Sequence, residues 1–252
     1  WSHDGVTDSS GNLTITQLNS PTVGVSPFGG DSVVLNGSNQ IGRAVVSKPF
    51  PASMPLTTQA WAKTTNNASA AGLFTFADSS SNYLYAGSWM QGTGKSSVID
   101  RSSGAFSNTI ALGGSFTNNV WHSISGNLNA SNSRFVTMDG IRSSENTFNN
   151  TDTKTFNRLS YGAFDDSTPS NYWAGELAEL RVRDGNLSED YQTAEYNNQS
   201  DPATFFTTSA WVEQGGGVTL TVTEVLNSFA DISNINIDYN VSAIITETLK
   251  SF

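Results

Sequence analysis

The chain has 252 residues, no cysteine and a formal net charge of −10, with 37% hydrophobic and only 13% charged residues. Without cysteine there are no disulfides, no thiolate metal sites and no cysteine nucleophile. The acidic balance, unbroken by any run of Lys or Arg, argues against nucleic acid and anionic membranes as partners, because phosphate binding depends on clustered basic charge.

Ser, Thr, Asn and Gly dominate the remainder, which suits short strands joined by polar turns better than long amphipathic helices. Aromatics at 11% are enough to fill a sandwich core, so disorder is a poor reading. No apolar stretch approaches the roughly 20 residues of a membrane helix, and no membrane insertion is expected. The chain starts at Trp1 with no signal-like segment and reads as a soluble piece of a longer or processed protein.

In chain order, Val33-Val34-Leu35 reads as a strand running into the turn pair Asn36-Gly37. From Leu56 to Lys63 the chain alternates, with Leu56, Thr58, Ala60 and Ala62 on one face and Thr57, Gln59, Trp61 and Lys63 on the other. Two more strands, Leu73 to Phe76 and Tyr83 to Trp89, flank the loop Asp78 to Asn82. Gly92-Thr93-Gly94-Lys95-Ser96 resembles the end of a phosphate loop. The glycine that such a loop needs five residues before the Gly-Lys pair is Trp89, so a hairpin turn is the better reading. Further strands are expected at Trp121 to Ser125, Arg134 to Met138, Arg158 to Ala163 and Leu177 to Val182. Their spacing argues for an antiparallel sandwich.

One helix follows, with Ser188 as N-cap and Glu189 and Asp190 in a first turn whose dipole favours negative charge. Tyr191 and Ala194 share its expected inward face, and Asn197-Asn198 and Pro202 end it. Residues 213–217 read as a glycine-rich linker. Beyond it, LTVTEVLNSF at 220–229 and AIITETLKSF at 243–252 share Thr, Glu, Leu, Ser and Phe at matching positions, an internal repeat. Residues 218–252 are expected to begin a β-rich repeat or stalk that contacts other copies or neighbouring structural chains.

Catalytic signals are weak. His3 is terminal, and His122 follows Trp121 with no nucleophile motif beside it. Glu176 and Glu179 are three apart, so on a regular strand they face opposite ways, and no facing carboxylate pair of glycosidase spacing is expected. Asp78, Asp139, Asp165 and Asp166 fall in loops, where Ca²⁺ takes its ligands, yet no Asp-x-Asp-x-Asp-Gly run exists. Ca²⁺ is left open and no metal residue is assigned. Aromatics are the binding candidates. Tyr83, Tyr85 and Trp89 share a strand face with Gly87 leaving a gap, while Tyr161, Tyr172 and Trp173 lie near Asp165-Asp166. Tyr83, Tyr85, Trp89, Tyr161 and Trp173 are the residues assigned to ligand binding, by stacking on sugar rings. Core packing is the competing use of such side chains, and the commoner one.

Five segments in order resemble the laminin-G-like branch of the concanavalin A-like superfamily. They are Asp8 to Asn12, Gly30 to Ser38, Asn119 to His122 with Arg134 to Gly140, Gly175 to Val182, and Leu187 to Pro202. The resemblance spans about residues 1–210 and departs from the family at Ala178, where an Asp is usual. It implies an all-β jelly-roll sandwich over residues 1–212, with Trp121 between the sheets and Leu180 and Val182 packing inward. It also implies adhesion to a glycan or protein on a cell or virion surface, sometimes with Ca²⁺. The expected protein is a non-enzymatic module of a phage virion or bacterial exterior, extracellular or on the virion surface. The alternative is a carbohydrate-binding module of a secreted polysaccharide-active enzyme. Fold alone does not name a ligand.

Overall fold

A computed structural model describes residues 13–80, 85–101, 110–201, 212–214 and 217–219. The N-terminal strands are β1 (Ile15–Leu18), β2 (Thr22–Val25), β3 (Asp31–Asn36), β4 (Ile41–Phe50), β5 (Leu56–Thr64), β6 (Ala71–Ala77) and β7 (Tyr85–Met90). They continue as β8 (Lys95–Arg101), β9 (Ile110–Ser115), β10 (Trp121–Ala130), β11 (Ser133–Met138), β12 (Ile141–Arg142), β13 (Lys154–Tyr161) and β14 (Ala174–Asp184). After helix α1 (Glu189–Ser200) come β15 (Val212–Gln214) and β16 (Gly217–Thr219).

The strands form two seven-stranded sheets. The first has the order β1-β4-β13-β6-β7-β8-β9 and the second β12-β11-β10-β5-β14-β3-β2. Every pairing in both is antiparallel. This is the expected jelly-roll sandwich. Its core holds Leu56, Ala60 and Ala62 of β5 against Phe50, Phe76 and Phe156 of the first sheet. The alternation read in β5 therefore holds, and Trp61 faces the other way under Phe28, ring to ring at 5.1 Å. The Asn36-Gly37 turn also holds: Gly37 takes φ 74°, and the Asn36 side chain accepts from the Ser38 and Asn39 amides at 2.9 and 3.2 Å. Gly92 to Lys95 is the hairpin between β7 and β8, closed by Gln91 N–H donating to Lys95 O at 2.8 Å.

Trp121 is not between the sheets. Side chains alternate along β10, so His122 (9% exposed) and Ile124 face inward, which turns Trp121 to the outer face. There it is half-buried beside the Lys63 ammonium, 5.0 Å from the ring centre. The tryptophan that fills the core is Trp173, with no exposed surface and its ring 5.5 Å from that of Phe116. Leu180 and Val182 both pack on the core, as expected. Between them and Ala178 the β14 register shifts, and Glu179 takes φ 50° at the bulge.

Ser188 caps α1, its Oγ accepting from the Tyr191 amide at 3.2 Å. The buried side chain of the helix is Gln192, 4% exposed, rather than Tyr191 or Ala194. Its amide pairs reciprocally with that of Asn127 at 3.2 and 3.3 Å, and its Nε2 also donates to Leu187 O at 2.9 Å. Among the described residues no helix is long and apolar enough to cross a membrane.

The chain divides into two compact units, Trp1–Thr193 and Ala194–Phe252, a boundary inside α1 and earlier than residue 212. In the second unit β15 and β16 pair antiparallel, Gln214 opposite Gly217. Glu213, Gln214 and Gly217, expected in a linker, are thus strand residues. The repeat at 220–252 lies outside the described residues.

Candidate functional site

The first sheet has one face on the core and one turned outward. Ala44, Phe76, Ala86 and Leu159 belong to the core, so their neighbours along each strand face out. Register places Arg101, Tyr85, Ala77, Arg158 and Val45 in one outward row across five strands. The next row is Ile99, Gly87, Thr75, Ser160 and Arg43. Gly87 leaves no gap for a ligand: at φ 152°, a Cβ there would lie 2.0 Å from Phe74 O, so the glycine serves the close approach of β6.

The segment after β13 folds back over this face. Gly162 takes φ 86°, and Phe164 and Ser170 exchange backbone hydrogen bonds at 2.9 Å. Phe164 packs on Trp89, the rings tilted by 51° with centres 4.7 Å apart, and closes a small apolar cluster with Ala77 and Ile99. The next residue, Asp165, has no exposed surface. Arg43 donates to both its oxygens at 2.5 Å, Ser160 Oγ donates to Oδ2, and Arg158 Nη1 reaches Oδ1 at 3.4 Å. Arg158 also donates to Asp166 O at 3.0 Å. The bidentate bond to Asp165 raises the Arg43 pKa. Burial pushes the Asp166 carboxyl above the usual carboxylate value, although the Thr168 amide partly offsets it. The product is a clasp: one sealed carboxylate holding two arginines whose side chains are still 25% and 26% exposed.

Of the five aromatics assigned to ligand binding, three are buried. Trp89 is 3% exposed beneath Phe164, so it anchors the loop and offers no stacking face. Tyr161 is sealed in the core, its hydroxyl accepting from Gln17 Nε2 at 3.1 Å, and Trp173 is sealed beside Phe116. The physical reason is common to all three: large rings repay burial more than exposure, and the core had space for Tyr161 and Trp173 as the Phe164 cluster had for Trp89. Tyr83 lies outside the described residues. Tyr85 holds its row position through its backbone, and its side chain lies outside the description. Tyr172 donates to Pro169 O at 3.2 Å within the loop. Arg43 and Arg158 were missed. A signal existed, since each stands at a polar position of an apolar strand, in IGRAVV and FNRLSY, with Asp165-Asp166 shortly downstream.

The groups weighed for catalysis are engaged elsewhere. His122 Nδ1 lies 2.6 Å from Asp139 Oδ2, and its Nε2 accepts from the Thr117 amide at 3.1 Å. Both ring nitrogens are used, which fixes the Nδ1–H tautomer and leaves no lone pair to act as a base. Glu176 pairs with Lys63 at 2.6 Å and accepts from Ser32 at 2.9 Å, and Glu179 pairs with Arg181 at 2.7 Å. Asp78 caps its own turn by accepting from Ser80. No group of three His, Asp or Glu side chains among the described residues is arranged to hold a metal ion.

Comparison with known proteins is consistent with this architecture. Residues 29–191 match the family model Laminin_G_3, described as the concanavalin A-like lectin/glucanases superfamily. No curated protein sequence matched. Among solved structures, domain 4 of AbnA, an extracellular arabinanase from Geobacillus stearothermophilus in complex with arabinotriose, aligns with TM-score 0.59 and 19% identity, covering 76% of this chain and 94% of that one. The binding domain of botulinum neurotoxin serotype G aligns with TM-score 0.53 and 14% identity, over 77% of this chain and 48% of that one. The receptor binding domain of botulinum neurotoxin D gives 0.53 and 11%, over 75% and 49%. The chain thus spans about half the length of those toxin domains. With most of the sandwich inside the matched region, the chain belongs to the concanavalin A-like lectin/glucanases superfamily.

Proposed function

We propose that the chain is a non-enzymatic binding module, displayed on a phage virion or a bacterial exterior, that recognises a glycan through the outer face of the first sheet. The observation that supports this is the Arg43–Asp165–Arg158 clasp. It fixes two arginines with quarter-exposed side chains, Arg158 in the row that holds the Tyr85 position and Arg43 in the row beside it. Guanidinium edges donate to sugar hydroxyls, and an aromatic ring suits the apolar face of a sugar. Donors fixed before binding lose little entropy on contact. The likeness to a domain bound to arabinotriose supports sugar as the ligand class. The engagement of His122, Glu176 and Glu179 supports binding without turnover.

A panel of oligosaccharides that includes arabino-oligosaccharides tests the reading. The expected result is millimolar-or-better binding to one sugar class, weakened at least about tenfold, or ~1.4 kcal/mol, by Arg158→Ala and by Tyr85→Ala. Silence across the panel, or binding indifferent to both substitutions, sinks it. Turnover of any polysaccharide by the purified chain would remove the non-enzymatic half of the proposal.

The second reading is a carbohydrate-binding module of a secreted polysaccharide-active enzyme, favoured by the 94% coverage of an arabinanase domain. Copurification of the native protein with virions or cells, against retention on plant polysaccharide, separates the two. We assign residues 218–252 to contacts with neighbouring chains, so the full chain should sediment as an oligomer; a monomer at every concentration overturns that assignment.

A further inference from the structure

Four polar side chains are sealed at the core side of the first sheet. Asp100 is 1% exposed, Asn150 6% and Arg134 0%, and the Lys154 side chain is 3% exposed. Asp100 pairs in register with the core residue Ala86, and Lys154 opens β13 opposite Phe50. Lys154 Nζ lies 2.7 Å from Asp100 Oδ1, yet among the described residues Oδ1 accepts no hydrogen bond. The nitrogen is pressed against the carboxyl group without the alignment that a hydrogen bond needs. The other oxygen is well held: Asn150 Nδ2 donates at 3.1 Å to Oδ2 and at 3.1 Å to Asp100 O. Arg134 has acceptors of its own in Asn146 Oδ1, Phe148 O and Ser131 O at 2.6, 3.0 and 2.6 Å, while its Nε meets none among the described residues and its charge is also favoured by Asp100.

A buried ion pair repays its desolvation only when its geometry is good and its remaining lone pairs are met. This pair fails the first condition. A neutral amide at the same place would carry no charge to desolvate, and Arg134 would keep its own acceptors. We propose that Lys154 and Asp100 join in an intramolecular isopeptide bond, a covalent modification that staples β13 to β8.

The contacts supply each step. One proton passes from Lys154 Nζ to Asp100 Oδ1, leaving a free amine and a neutral carboxyl. The amine lone pair attacks Cγ and forms the C–N bond. The carbonyl electron pair moves onto Oδ2, where the Asn150 N–H stabilises it. As that pair returns, the Cγ–Oδ1 bond breaks, and Oδ1 leaves as water with a second proton from Nζ. No oxidant, metal or cofactor enters the balance. Fixed proximity of two dry reactants replaces a catalyst.

Mass spectrometry of the purified full chain tests the bond. The chain should be lighter than its sequence by one water, and digestion after Lys and Arg should yield residues 96–101 linked to residues 143–158, uncut at Lys154. Lys154→Arg should restore the full mass. A full-mass wild-type chain that is cut normally after Lys154 overturns the proposal. So does a lighter mass that survives in Lys154→Arg, since the water would then be lost elsewhere. The wild-type mass and linked peptide decide the matter even if a variant fails to fold.

Discussion

Asp100 and Asp165 are both sealed from water and both face basic side chains, one on each side of the first sheet. Asp165 is saturated: Arg43, Arg158 and Ser160 use both its oxygens, and its cations reach solvent. Asp100 is not: one oxygen is held by Asn150 and the other meets an ammonium without hydrogen-bond alignment. A carboxylate whose lone pairs are filled positions its neighbours. One with an unfilled oxygen against a buried amine is poised to react or is expensive to keep.

The sharpest way to break the comparison is Lys154→Ala. With Asp100 deprived of its ammonium partner in the core, folding stability should fall by about 3–5 kcal/mol in denaturant titration. A loss under about 1 kcal/mol would mean that Asp100 tolerates isolation. Asp165→Ala should cost less, about 3 kcal/mol at the low end of the same range, because Arg43 and Arg158 keep access to water. Its clearer signature should be proteolytic nicking between Phe164 and Ser170, measured by limited proteolysis. A third buried pair, Asn127 with Gln192, carries no charge and is reciprocally bonded. Gln192→Ala should cost about 1–3 kcal/mol, the penalty of one unpaired buried amide, and should be the easiest of the three to rescue by an apolar partner change at Asn127.

The smallest effect concerns Asp166. Its folded carboxyl titrates above the ordinary value of 3.8 because burial disfavours the charge. Its contribution to stability is therefore fully present below that value and is lost as pH rises through the raised folded value. Asp166→Asn keeps an acceptor for the Thr168 amide and removes the titration. Melting temperatures of variant and wild type should coincide in acid and diverge slightly toward neutral pH, with the variant higher. Divergence of the opposite sign would show that Asp166 is stabilised by its charge.

Much of the sandwich was legible along the chain because burial on one face imposes a period of two. Leu56, Ala60 and Ala62 reached the core on that pattern, the Asn36-Gly37 turn formed, and Ser188 capped the helix. Trp121 shows the limit. Which face a strand buries is set by its register with its neighbours, and β10 pairs so that His122 faces inward. The site was harder to read. Aromatic residues mark both cores and sugar platforms, and Trp89, Tyr161 and Trp173 went to packing.

By itself the sequence determined the strand-and-turn grammar, the antiparallel sandwich and the family, since these rest on local periodicity and on motifs in a fixed order. Only the tertiary structure decided which polar residues meet. Arg43 and Asp165 are far apart along the chain, as are Asp100 and Lys154, and nothing local distinguishes a saturated carboxylate from a starved one. That difference comes from hydrogen-bond geometry in a dry interior, where each lone pair must be met by a group that the fold alone brings near.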